Sequence, residues 1–249
     1  MSRRRILTLI LVGTVWAVGL LAQMPQFKSQ EEIDAFMKVQ AAPTAAERAT
    51  AGADFIAKYP KSEAVGLASY MTMLSYQQMN DFDNMLLYGG MVLDSNPAAG
   101  VKVGTLISLA NAIPIRTREF DLDKEEKLGT AEDYAKEAMT LIPTIAKMDP
   151  NMSDDEWLAT KMDFMSQCHE AIGSVNLKRE DYPEAEASLR KALEMSPNPT
   201  TFTMYNLAMA LSKQGKNEEA SEMADRCSAG GGAMSGAGDD LCAELKKTL

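Results

Sequence analysis

Two pairs of small residues fall into one register in the last third of the chain. Gly173 is followed twelve positions later by Ala185, and Ala208 is followed twelve positions later by Ala220. The step from 173 to 208, like that from 185 to 220, is 35. Leu189 and Ala192 in the first unit correspond at the same step to Ala224 and Cys227 in the second. Apolar residues three and four apart share one side of a helix, and small residues let a second helix lie close against it. The turns at 178–182 and 213–216 sit at matching places, so each unit is predicted to be a helical hairpin. One amphipathic hairpin cannot hide its apolar side alone, whereas a stack of hairpins shares a continuous core.

The same helical periodicity governs the rest of the body, and almost nothing alternates with a period of two. Ser29, Thr44 and Ser153 each stand where a side-chain oxygen can cap a helix. Glu47 follows Thr44 by three residues, in capping-box spacing, and Asp154, Asp155 and Glu156 follow Ser153 near the positive end of its helix. Further helices are predicted over 62–79, 83–93, 98–116 and 130–148, the last bent at Pro143. Others follow over 153–179, 183–195, 200–214 and 217–227. The charged segment 117–129 reads as a loop, with Thr130 opening the helix after it. The organisation expected is a leader at 1–22, a linker with a short helix at 23–43 and a repeat domain at 44–228 with an insertion at 117–129. A flexible Gly-rich link at 229–238 and a capping helix at 239–249 complete it.

The segment IGSVNLKREDYPEAEASLRKALEMSP, with Ile172, Gly173, Ala185, Leu189, Ala192 and Pro197, resembles the tetratricopeptide repeat family. The segment YNLAMALSKQGKNEEASEMADRC continues the likeness through Leu207, Ala208, Leu211, Ala220 and Cys227. A looser third unit contains Met73, Tyr76, Gly89, Val92, Leu93 and Pro97. The step of 35 is one residue longer than the family period of about 34. The resemblance implies an all-α fold, a right-handed α-α superhelix of antiparallel helix pairs. It also implies a concave surface, built from the first helix of each pair, that binds a protein or peptide. Mapped onto this sequence, that surface comprises Tyr70, Leu74 and Gln77, then Glu170, Ser174 and Lys178, then Phe202, Tyr205, Met209 and Lys213. Glu170 and Ser174 occupy two places where relatives that grip C-terminal carboxylates carry cationic or amide side chains, which argues against that specialised activity.

Arg3, Arg4 and Arg5 precede an uncharged apolar run at 6–22. This arrangement enters a membrane with its basic end retained. The expectation is an export signal or an anchor, with cleavage near residue 19 or 22 and retention both open, and membrane contact through residues 6–22 if it is kept. It places the body in a bacterial periplasm or envelope, soluble or anchored to the inner membrane. Lys and Arg total 25 against 35 Asp and Glu, a formal charge of -10, so a surface built to follow nucleic-acid phosphates is not expected.

No residue pattern supports catalysis, a cofactor or a metal. Cys168 and His169 are consecutive on a predicted helix and so diverge by about 100 degrees. Asp121, Asp123, Glu125 and Glu132 echo a calcium loop, but Glu126 stands where such loops need the sharp glycine turn. The glycines from 230 to 238 lack a Lys-Ser/Thr sequel and a preceding strand, so they make no phosphate cradle. Cys227 and Cys242 are close enough to be joined outside a reducing compartment, the alternative being two free thiols. The 18 methionines read as packing between helices. The function expected is noncatalytic protein or peptide binding in the cell envelope. A structural role in an envelope assembly and an accessory role in an enzyme system are the alternatives.

Overall fold

The computed structural model describes residues 25–147, 149–196, 198–235 and 238–249. These form eleven α-helices in chain order: α1 (Gln30–Ala41), α2 (Ala45–Lys58), α3 (Val65–Gln78), α4 (Phe82–Asp94), α5 (Ala99–Arg116) and α6 (Lys124–Leu141), then α7 (Asp154–Lys178), α8 (Tyr182–Met195), α9 (Thr201–Lys213), α10 (Asn217–Ala229) and α11 (Leu241–Lys246). A 3-10 turn at Ile142–Thr144 ends α6. The side chains of Ser29, Thr44, Asp81, Ser153, Asp181 and Thr200 each accept a hydrogen bond from a first-turn N–H. At Ser153 the box is complete, because the Glu156 carboxylate also accepts from the Ser153 N–H at 2.8 Å.

Three of the hairpin turns share one backbone design. Asn80, Glu180 and Gly215 have φ of 56°, 61° and 75°, the left-handed region. In each case the next N–H reaches five residues back: Asp81 to the Tyr76 carbonyl, Asp181 to Asn176 and Lys216 to Leu211, at 2.9–3.0 Å. This is a Schellman closure, which satisfies carbonyls at the end of the first helix while reversing the chain. Asp81 and Asp181 then cap the second helix, so one short segment both stops and restarts the fold.

Helix pairs α3/α4, α5/α6, α7/α8 and α9/α10 stack in sequence, making an all-α solenoid. α5 touches α7 and α7 touches α9, while α6 and α8 each pack on the first helix of the next pair. First helices therefore line the inner side and second helices the outer. Close approach within a pair depends on small residues. A Cβ on Gly173 would lie 2.5 Å from Cγ of Leu189, and between neighbouring pairs one on Gly89 of α4 would lie 2.6 Å from Cδ2 of Leu109 of α5. Ala185, Ala208 and Ala220 are wholly buried among Leu189, Leu207 and Leu211.

Several expectations change. The segment 117–129 is a loop only to Asp123; α6 begins at Lys124, six residues before Thr130, and runs through Gly129. Glu125 and Glu126 in its first turn suit the positive end of the helix dipole. The Gly-rich segment is tied down where it is described: Ala233 is fully buried, Met234 pairs with Asp240, and Asp240 caps α11. Met73 and Met85 are buried, whereas Met79 and Met162 are exposed on separate helices.

The expectation of a transmembrane helix, of membrane contact and of an envelope location is also corrected. Among the described residues no helix is long and apolar enough to cross a membrane. The longest, α5 to α7, carry charges such as Lys102, Arg116, Asp163 and Lys178 along their length. Residues 6–22, on which the expectation rested, lie outside the described residues.

Replacing Gly173 with Val is expected to lower stability by about 1–3 kcal/mol, through overpacking against Leu189. Ala at Gly90, where a Cβ meets nothing within 4 Å, should leave stability unchanged or raise it by up to about 1 kcal/mol. Thermal unfolding of the two variants checks the contrast.

Candidate functional site

Two grooves open on the solenoid, one on each side. The inner groove, about 360 Å³, lies between the C-terminal halves of α5, α7 and α9. Ser174 and Lys178 come from α7, and Met209 and Lys213 from equivalent positions of α9, one repeat further on. Leu177 and Ile115 supply apolar walls. Asn206 donates from Nδ2 to Ser174 Oγ at 3.4 Å, joining the two helices across the floor. The Lys178 ammonium donates to the Thr117 carbonyl at 3.1 Å and so fixes the start of the 117–123 loop at the groove's edge. Lys213 is exposed.

Four of the ten surface residues expected from sequence therefore meet in one place. The other six do not. Glu170 lies one to two turns N-terminal on α7, where Thr200 Oγ1 donates to it at 3.4 Å. Phe202 is exposed on the first turn of α9, and Tyr205 packs against the C-terminal core. Tyr70, Leu74 and Gln77 belong to α3; the Tyr70 ring reaches α5, where its hydroxyl would be 3.2 Å from a Cβ at Gly104. Pro114, Ile115, Glu119, Leu177, Tyr182 and Asn206 also line the groove. The step of 35 carries positions 174 and 178 back to 139 and 143, outside α5, so the repeat register does not reach the first two.

Burial pushes the Glu170 carboxyl above its ordinary value, against the pull of hydrogen bonds from Thr203 and Thr200. A carboxyl that holds its proton more tightly folded than unfolded makes the fold less stable as pH rises past the unfolded value of about 4.3. The His169 imidazole is held low by burial and by the Lys191 charge. Burial also pushes the Cys168 thiol up to about 12, so it is neither a thiolate nor a partner for its neighbour.

The outer groove is larger, about 560 Å³, and runs between α4 and α6 over a floor from α5. Leu86, Leu109 and Ile113 give it an apolar base, and Tyr134 one wall. The acidic residues that echo a calcium loop all face cations. Lys127 binds Asp121 at 3.0 Å and Asp123 at 2.9 Å, while Arg179 binds Glu125 at 3.1 Å and Glu132 at 2.6 Å. The Arg118 N–H and Lys127 hold the Asp121 carboxyl below its ordinary value. These charges fasten α6 and its loop to each other and to α7.

Among the described residues one other group has metal-ligand spacing: Cys227, Asp240 and Cys242, with ligand atoms within 4.8 Å of one another. The two sulfurs are joined as a disulfide with Cα atoms 6.1 Å apart, so neither offers a thiolate. Asp240 is occupied by the Ser228 hydroxyl and the Cys242 N–H. The bond pins α11 against α10.

Residues 166–199 and 203–230 each match the tetratricopeptide repeat family. The likeness to the family is shown over these two units. Beyond those units, the crystal structure of a thermophilic tetratricopeptide repeat protein from Thermus thermophilus is similar in fold, with a TM-score of 0.53 at 17% identity. The match covers 88% of this chain and 98% of that one. No curated protein matches the sequence. The two matched units are helix hairpins of the kind that stack into a solenoid with an extended concave surface.

Glu170→Gln should be more stable than the native chain at neutral pH and equal to it well below pH 4, as read by denaturant unfolding across pH. Reducing the disulfide, which closes a 15-residue span, should cost on the order of 3 kcal/mol of stability in the same measurement.

Proposed function

We propose that the inner groove between α5, α7 and α9 is the binding site for a peptide segment of a protein partner. The observation that carries this reading is the convergence of Ser174, Lys178, Met209 and Lys213 with Ile115 and Leu177 on one concave strip. An apolar wall with a few hydrogen-bonding groups is the composition of a pocket that orients a ligand as well as holding it. Asn206 and Ser174 offer an amide and a hydroxyl, and both lysines offer cations to an acidic or carbonyl-rich chain. Neighbouring repeats present equivalent positions one hairpin apart, so an extended peptide can be read at successive points along the strip. Ile115 is 64% exposed at the rim, an apolar contact that a bound segment would cover.

Selecting peptides from a random library on the purified chain tests this. The peptides recovered should lose at least about tenfold in affinity when Met209→Asp and Lys213→Glu are combined, as expected when anchor contacts are removed. Glu126→Lys in the outer groove should have no effect on them. Equal binding to the Met209/Lys213 variant would remove the inner groove as the site.

A further inference from the structure

The loop at 117–123 forms part of the rim of both grooves and holds two large apolar side chains in water. Phe120 is 94% exposed and Leu122 is 107% exposed, well above the other exposed apolar residues. The loop's shape is fixed. The Asp121 carboxylate accepts from the Arg118 N–H at 3.1 Å and from Lys127 at 3.0 Å, and the Lys124 N–H donates to the Asp121 carbonyl at 3.1 Å. Lys124 pairs with Glu119 at 3.1 Å. A braced turn that displays a Phe and a Leu has the form of a docking element, and the outer groove begins beside it with an apolar floor of Leu86, Leu109 and Ile113.

We infer that the occupant of the outer groove is the 117–123 loop of a second copy of this chain, in a reciprocal two-fold contact that seats Phe120 and Leu122 of each copy on the floor of the other. A two-fold interface sets one patch against itself, so its charges must be self-complementary. Over most of a chain with formal charge -10 such a meeting is repulsive. Here Arg116, Arg118 and Lys127 stand against Asp83, Asp121, Asp123 and Glu126, close to balance, with both signs mixed along one rim. The open backbone at Gly90 leaves the α4 side of the groove unobstructed. Two apolar side chains from each copy bury on the order of 600 Å², below the usual range for stable complexes, so the dimer forms and dissociates with concentration. This contact uses the outer groove, and Glu119 is the residue of the loop that also lines the inner strip.

Sedimentation equilibrium of the purified full chain, from micromolar to millimolar, reads the proposal directly. The expected result is a mass that rises from one chain towards two. The double variant Phe120→Ser with Leu122→Ser changes only exposed side chains, and Gly90→Leu fills open space in the groove; each should weaken association at least tenfold without lowering its melting temperature. Mixing the two variants, which pairs one intact loop with one intact groove, should restore part of the association. A mass that stays at one chain throughout, or variants that dimerise like the native chain, would overturn it. Either result would hold whether or not peptides bind the inner groove.

Discussion

Contact between the two helices of each hairpin, at a residue with little or no side chain, is the interaction on which the rest of this structure depends. Leu189 lies over Gly173 so closely that a Cβ there would be 2.5 Å from its Cγ, and between successive hairpins Leu109 lies over Gly89 in the same way. Close approach brings the flanking leucines and alanines out of water on both sides, and each buried methylene contributes about 0.8 kcal/mol. It also sets where the next hairpin can lie, because the outer face of one pair is the inner wall of the next. The inner strip exists because α5, α7 and α9 are drawn together by this packing while the outer helices stand apart.

The middle of the solenoid is held differently. Between α6 and α7 the buried apolar cluster is supplemented by Arg179, whose guanidinium bridges Glu125 and Glu132, and by Lys178, which reaches the Thr117 carbonyl. These contacts are partly exposed and individually worth little. Their role is positional: they place the 117–123 loop at the boundary of both grooves. Acidic residues with calcium-like spacing thereby act as fastenings for a helix start.

How much of this could be read from the sequence follows from the range of the forces involved. Ser29, Thr44 and Ser153 were legible as caps because capping is settled within four residues. The pairing around Gly173 and Ala208 was legible because the register repeats. The start of α6 was not: Gly129 and a run of charges look like a loop, and the partner that favours helix there, Arg179, is 54 residues from Glu125. The inner groove was half legible for the same reason. Its α7 and α9 residues sit at repeat positions, but the α5 contribution comes from a helix whose Pro114 and glycines obscure its place in the array. Pro114 is accommodated because it lies in the last turn of α5, where Thr117 still closes on the Ile113 carbonyl. Glu170, Phe202 and Tyr205 occupy plausible positions in the pattern, yet one is sequestered by threonines, another is displaced along the helix and the third is packed into the core.

The disulfide between Cys227 and Cys242 gives the two ends of the array unequal standing. A linear stack has no closing contact, and its terminal units ordinarily open first because each has a neighbour on one side only. At this C-terminus the final hairpin is cross-linked to a short helix that covers it, with Ala233 and Cys242 buried beneath. Opening there cannot proceed by peeling one helix at a time. The cross-link therefore favours retention of the unit that carries the α9 half of the inner strip.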